Sequence, residues 1–246
     1  MFQTIKNAFK TPEIRKRLLY TLLLIVLFRL GCYITVPGID TVALSSLASA
    51  STNSFSGLID LISGGAFSRF SIFAMSISPY ITASIVIQLL GMVIPSLEKA
   101  IKEGGEEGKA KINRYTKMLT LVLAFVEAIG IYASYSGAYS AYGVFINPGF
   151  ATGALIVLSL VAGTALLMWL GEQITNRGIG NGISVIIFIG IISSLPSAVT
   201  TIYNLIFTAA GFSTTGLLIS LGIIIGAIIL VAGVVFVQQA ERKVPV

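Results

Sequence analysis

Long apolar runs separated by short polar segments dominate the chain. A helix needs ~20 predominantly apolar residues to cross a bilayer, and six runs are close to that length. The pattern therefore predicts six transmembrane helices, the fifth of them the shortest and open to an extension as far as Asn204. The predicted spans are Leu18–Val36, Phe70–Ile94, Met118–Tyr135, Thr152–Leu170, Ile183–Ser197 and Thr215–Val237.

The second predicted span and the segment before it differ from the rest. Residues Ser56–Phe67 form an apolar run interrupted by Asp60, Gly64 and Gly65, and it falls well short of the ~20 residues that cross a bilayer. The following span contains several Ser, Thr and Gln residues, and Pro79 in its middle is expected to kink it. One interpretation is a half-inserted segment beside a helix that lines a path. The other is a loop without function beside a span packed through its serines.

Composition places the protein in a membrane. Of its 246 residues, 55% are hydrophobic and 11% are charged, and the mean hydropathy is +0.93. A soluble domain carries about 25% charged residues. The first residues are polar and basic, and no small-residue cleavage motif follows the first apolar run, so no cleavable signal is expected.

Histidine is absent and Cys32 is the only cysteine. This excludes a disulfide within the chain, a zinc site built from Cys and His, and a nucleophile activated by histidine. The composition argues against catalysis, and no catalytic residue, metal ligand or cofactor is predicted.

The basic residues predict the orientation. Of 16 lysines and arginines, all but Arg29 and Arg69 precede the first span, follow the sixth, or lie in the loops after the second and fourth spans. Because cytoplasmic loops carry the excess of Lys and Arg, both termini are expected in the cytoplasm.

Two of these loops have their own composition. Glu98–Lys117 mixes charges of both signs with glycines and is interpreted as a solvated connector. Gly171–Ser184 is glycine-rich, but no strand precedes it and no G-K-[ST] follows, which excludes a nucleotide-binding loop. A turn and a helix start, with Asn181 as a cap, is the better interpretation.

Two charges lie inside predicted spans, where charge is costly and marks candidate functional residues. Arg29 lies in the outer part of the first span, where it is expected to snorkel or to bind a loop carbonyl in a structural role. Glu127 lies midway along the third span. It is expected to face a protein partner or an aqueous path, or else to be a neutral acid bonded between helices.

Three stretches carry a family resemblance: GGAFSRFSIFAMSISPYITASIVIQLL, FINPGF and, most specifically, LMWLGEQITNRGIGNGIS. The chain resembles the SecY family, the central subunit of the bacterial Sec protein translocon, from about Arg15 to its end. The resemblance implies an all-α polytopic membrane fold of ten helices in two inverted-topology halves around a pore. This chain would supply six transmembrane helices and a short re-entrant plug helix. Residues 1–204 would be the N-terminal half and residues 205–246 the sixth helix and the start of the next cytoplasmic loop, with the remainder absent.

The resemblance also implies roles for particular residues. Four isoleucines match a hydrophobic pore ring: Ile77, Ile81, Ile183 and Ile187. Their i, i+4 spacing alone favours a packing face, since membrane spans are apolar throughout, and only the family resemblance favours the ring. Three residues match the lateral gate: Thr82, Gln88 and Glu127. At position 127 this chain has glutamate where many bacterial relatives have glutamine. The plug would cover Phe55–Ser68, with Phe55, Leu58, Ile59, Leu61, Ile62, Gly64 and Gly65.

The implied function is a protein-conducting channel subunit, not an enzyme, for secretion of unfolded polypeptides and insertion of membrane proteins. The implied partners are SecE-type and SecG-type subunits, the SecA ATPase, ribosomes, secretory polypeptides with their signal sequences, and membrane lipid. The implied location is the bacterial plasma membrane. Half of a small-molecule secondary transporter is the alternative, since a broken span and Glu127 would also suit one. An intramembrane protease is disfavoured because histidine and an obvious acidic pair are lacking.

Overall fold

The computed structural model describes residues 11–40, 43–44, 60, 62–102, 104–138, 143–146, 149–208 and 211–239. Within these ranges the named elements are helices, apart from one pair of two-residue antiparallel strands. Contacts divide the chain into two compact units, Met1–Ser193 and Ser194–Val246. The first unit contains α1 (Pro12–Gly31), α2 (Ser78–Val93), α3 (Pro95–Lys102), α4 (Gly105–Ala138), α5 (Phe150–Arg177) and α6 (Gly182–Ile192). The second contains α7 (Leu195–Ile206), β1 (Phe207–Thr208), β2 (Gly211–Phe212) and α8 (Thr214–Gln238).

Among the residues that the structure describes, four helical stretches are long and apolar enough to cross a membrane. They agree with the predicted third, fourth, fifth and sixth spans, and the fifth does reach beyond Ser197. Helix α1 carries charged residues in its first turns, and α2 has only 16 residues. A multi-pass membrane protein is therefore confirmed, whereas six spans plus a plug stay a prediction. The four stretches are Gly105–Ser136, Phe150–Arg177, Gly182–Ile206 (which contains α6 and α7) and Thr214–Gln238.

The predicted kink at Pro79 is wrong. Helix α2 begins at Ser78, so that Pro79 lies in its first turn. An amide in the first turn of a helix has no intrahelical acceptor, and the fixed φ of proline suits this position. Pro79 therefore starts a helix where the sequence predicted a bend within one.

The residues just before α2 form turns that are tied to the end of α1. The Val36 amide donates to the Phe70 carbonyl (3.0 Å), and the Ile72 amide donates to the Ile34 carbonyl (3.0 Å). Phe70 has a φ of 47° and is fully buried, with its ring edge against Tyr135 at 4.9 Å between centroids. Non-glycine residues seldom adopt this backbone conformation, so packing holds the turn in place.

Buried side chains of the first unit form two clusters. One joins α4 and α5 to the turns after α1, through residues such as Phe70, Ala124 and Leu160. The other joins α1, α5 and α6 to the turn that contains Phe73. The second cluster contains several of the residues singled out in the sequence, and it positions the candidate site.

The second unit is a helix, a short strand pair and a longer helix. Phe207 pairs with Phe212 across the strands, and the Ser213 side chain caps α8 by accepting from the Gly216 amide at 3.1 Å. Most side chains of α8 are exposed, as expected for an apolar helix whose surroundings are lipid or other protein.

Candidate functional site

Three of the four predicted ring isoleucines share one apolar cluster. Ile77 immediately precedes α2 and is only 3% exposed. Ile183 and Ile187 lie one turn apart on α6 and are partly buried against the same cluster. The cluster also includes Leu167 of α5. The structure therefore brings the residue that precedes α2 and two residues of α6 to a common apolar centre.

The fourth, Ile81, is not part of that cluster. Its amide donates to the Ile77 carbonyl at 3.0 Å, one helical turn away. Its side chain is 37% exposed, against 3% for Ile77. The described residues therefore do not bring Ile81 together with the other three.

The glycine-rich loop fixes the start of α6. The Asn181 side chain accepts from the amides of Ile183 (3.1 Å) and Ser184 (3.4 Å), which confirms it as the helix cap. The Thr175 hydroxyl of α5 accepts from the Gly182 amide at 2.9 Å. A Cβ on Gly182 would collide with the Gly171 carbonyl oxygen, so only glycine allows the two backbones to approach so closely.

On α1, Thr21 adds a further bond to this loop: its hydroxyl accepts from the Ile179 amide at 3.1 Å. Nearby, the Tyr20 hydroxyl donates to the Gln173 side chain at 3.2 Å. The motif dismissed as a nucleotide loop thus connects α1, α5 and α6, and it determines where Ile183 lies.

Only part of the predicted plug can be placed. Phe55, Leu58, Ile59 and Leu61 lie outside the described residues, whereas Ile62, Gly64 and Gly65 lie within them. Residues 62–63 are helical and turns follow. The internal bonds of this segment centre on Asp60, whose carboxylate accepts from the Ser68 amide at 2.8 Å. In the sequence, Asp60 is recognisable only as an interruption of an apolar run.

The end of the predicted plug segment is seated against α1 and α6. The Arg29 guanidinium donates to the Gly64 carbonyl at 3.1 Å, which confirms the predicted bond to a loop carbonyl. Gly64 has a φ of 67°, and a Cβ there would lie 2.6 Å from the Ser193 hydroxyl and 2.7 Å from the Arg29 guanidinium. A Cβ on Gly190 would collide with the Ile62 carbonyl oxygen. Backbone therefore packs directly on backbone at this seat.

Two further residues complete the surroundings of the seat. The Arg69 guanidinium lies over the Tyr33 ring, 4.4 Å from its centroid, and the Arg29 guanidinium lies 6.0 Å from the same centroid. Cys32 is fully buried, with its Sγ 4.0 Å from the Ser63 carbonyl oxygen. The two basic residues that the charge pattern set apart thus lie next to the predicted plug.

The predicted gate residues lie on two helices that pack together, α2 and α4. Thr82 and Gln88 are exposed on α2 and bond within that helix, to the Ser78 carbonyl (3.2 Å) and the Ser84 hydroxyl (3.1 Å). Glu127 is half-buried on α4 and makes no hydrogen bond to any described residue. No hydrogen bond joins the three in the described part of the chain.

The sequence did not predict an ion pair that joins α4 to α5. Lys117 of α4 contacts both carboxylate oxygens of Glu172 of α5, at 2.5 and 2.6 Å. In the sequence, Lys117 is one of several loop charges and Glu172 is part of the family motif. Their separation of 55 residues gives no local signal that could have paired them.

Among the residues that the structure describes, no three His, Cys, Asp or Glu side chains are grouped closely enough to hold a metal ion. The groups available to the site are apolar side chains, backbone carbonyls, hydroxyls and two arginines.

Comparison with known proteins identifies the family. The SecY family model matches residues 71–246. The chain belongs to the SecY family. Protein translocase subunit SecY of Lactococcus lactis is 42% identical over 248 residues, covering 100% of this chain and 55% of the relative. SecY of Bacillus licheniformis is 44% identical over 249 residues, covering 100% and 56%. The chain thus spans about half the length of the curated SecY relatives it matches.

Solved structures support the fold. Sec61 in a canine ribosome–channel complex from the endoplasmic reticulum has a TM-score of 0.56 at 23% identity, covering 98% of this chain and 54% of that one. A SecY structure described for the role of its plug domain has a TM-score of 0.61 at 21% identity, covering 98% and 53%. At this identity the likeness shows that the chain has the fold found in SecY and Sec61 channels.

Proposed function

We propose that this chain forms part of a protein-conducting channel subunit that exports unfolded polypeptides and releases hydrophobic segments into the membrane. The observation that carries the proposal is the junction of Ile77, Ile183 and Ile187 in one apolar cluster, with the Gly64 segment seated on α1 and α6. Branched aliphatic side chains at a constriction resist wetting and ions. A segment seated beside them by close backbone packing suits a movable seal.

The proposed ring consists of Ile77, Ile81, Ile183 and Ile187. The apolar cluster supports three of them. Ile81 joins the ring only if the rest of the channel or a bound chain covers its exposed side chain. Thr82, Gln88 and Glu127 are proposed for the lateral gate because α2 and α4 carry them at a helix pair in contact. Polar side chains on transmembrane helices hydrogen-bond to neighbouring helices, and a helix of the C-terminal half is the proposed partner of this pair.

The proposed location is the bacterial plasma membrane, with both termini in the cytoplasm. Support comes from the positive-inside pattern and from bacterial relatives that are translocase subunits. The proposed partners are SecE-type and SecG-type subunits, SecA, the ribosome, secretory polypeptides and lipid. A ribosome–channel complex is among the proteins of similar fold.

Export in living cells tests the function. The chain, continued with the C-terminal half that its relatives possess, is expressed in bacteria depleted of their own channel. We expect export of a secretory precursor to be restored. Residues 1–246 alone should not restore it, because half of a ring cannot close a pore and Glu127 would face lipid without a partner. Solute uptake without export of a precursor would favour the transporter alternative.

Labelling tests the orientation separately. Single cysteines replacing Asn176 and Ile146, both exposed, are placed in a background without other cysteines. An impermeant thiol reagent is expected to reach Asn176→Cys only from the cytoplasmic side and Ile146→Cys only from outside. The reverse pattern would contradict the proposed topology.

A further inference from the structure

The Lys117–Glu172 ion pair borders a polar cavity of about 170 Å³ that also reaches a predicted ring residue. Its lining includes Tyr80 of α2, Asn113 and Lys117 of α4, Glu172 of α5, Asn181 and Ile183. One cavity wall thus joins the ion pair to the first turn of α6. The pair itself is joined through two short contacts, with each carboxylate oxygen facing the ammonium group.

The backbone gives a short path from the pair to the ring. Glu172 directly follows Gly171, whose carbonyl touches Gly182 so closely that a Cβ there would collide with it. A Cβ on Gly171 would lie 3.1 Å from the side chain of Ile183. A shift of α5 at Glu172 therefore has to move the start of α6, because closely packed backbone leaves no room to absorb it.

We propose that the Lys117–Glu172 pair is a positioning pair: by tying α4 to α5 at Glu172, it sets the position of Ile183 at the start of α6. The pair acts on Ile183 through the close contact between Gly171 and Gly182. Its part in sealing a pore rests on the proposed function, whereas its part in placing α6 does not. Both side chains are about one-third exposed, and an exposed ion pair contributes little to the free energy of unfolding. The role proposed here is to fix the position of α5 relative to α4.

The test combines charge reversal with a distance measurement in the complete channel. Spin labels on cysteines replacing Val122 of α4 and Ser184 of α6, both exposed, report the α4–α6 distance by electron–electron double resonance. Lys117→Glu and Glu172→Lys are each expected to shift or broaden that distance. The same variants should raise ion leak through the closed channel several-fold. The double swap Lys117→Glu/Glu172→Lys should restore both readouts.

A matched control carries the same change of charge on α4. Lys109 is exposed and has no ion pair with a described residue, so Lys109→Glu should leave distance and leak unchanged. If a single reversal prevents assembly, Glu172→Gln provides the measurement, since it removes the charge and keeps the volume. Failure of the swap to restore the distance would overturn the positioning pair.

The two levels of inference separate in this experiment. A parent channel that exports no precursor would refute the proposed function while leaving the distance result valid. A parent channel that exports normally, with unchanged distances in both reversal variants, would refute the positioning pair alone.

Discussion

Replacing Arg29 should release the predicted plug segment from α1 and α6. The Arg29 guanidinium donates to the Gly64 carbonyl at 3.1 Å in a half-buried site, and a hydrogen bond to a charged group contributes about 1.5–3 kcal/mol. Its position 6.0 Å from the Tyr33 ring centroid adds at most about 0.5 kcal/mol. Because 1.4 kcal/mol corresponds to tenfold in an equilibrium constant, Arg29→Ala should raise the released fraction about tenfold to hundredfold.

Cys32 provides the assay. It is the only cysteine of the chain, is fully buried, and has its Sγ 4.0 Å from the Ser63 carbonyl oxygen in the seated segment. Its modification by an impermeant thiol reagent should therefore be limited by release of that segment. In the complete channel, with any cysteines of the C-terminal half replaced, the rate should rise with the released fraction, and single-channel recordings should show more leak openings.

Two control variants sharpen the measurement. Arg29→Lys keeps the charge and one donor, and should give an intermediate rate. Arg69→Ala removes the cation over the Tyr33 ring but no bond to Gly64, and should have the smaller effect. An unchanged Cys32 rate in Arg29→Ala would refute the reasoning, because it would mean that the bond to Gly64 does not hold the segment.

Three further substitutions follow from the same contacts. Gly190→Ala places a Cβ against the Ile62 carbonyl, so it should cost about 1–3 kcal/mol and speed Cys32 modification. Gly130→Ala, where nothing lies within 4 Å, is its control, and equal effects would contradict the seat. Ile187→Ser should raise ion leak more than Ile85→Ser, since Ile85 is 52% exposed and outside the cluster; the opposite order in bilayer recordings would argue against the ring. Asn181→Ala removes the cap of α6 and should lower stability by about 1 kcal/mol, measured as a lower thermal midpoint, whereas no change would show that Thr175 alone secures this end.

Local patterns predicted much of what lies along single elements. The helices over the third to sixth predicted spans follow from their apolar runs. The Asn181 cap follows from a side-chain oxygen that can accept hydrogen bonds from two backbone amides at a helix start. The bond from Arg29 to a loop carbonyl was expected because a charge within a span needs a nearby polar partner. The family motifs then indicated which isoleucines to compare.

Contacts between distant residues were beyond such patterns. The apolar run before α2 gave no sign that the helix begins only at Ser78, since the turns before it are held by Ile34 and Val36, far back in the chain. Ile77 and Ile81 are the same residue type one helical turn apart, yet Ile77 is buried and Ile81 is exposed. The sequence does not distinguish them.

The sequence by itself determined that this is a multi-pass membrane protein of the SecY family, because hydropathy and family motifs are properties of contiguous residues. Only the tertiary structure decided that Arg29 and Gly190 seat the predicted plug segment and that Lys117 pairs with Glu172. Each of these depends on how closely two separate backbones approach. That distance is set by packing over the whole unit, and no local pattern of residues encodes it.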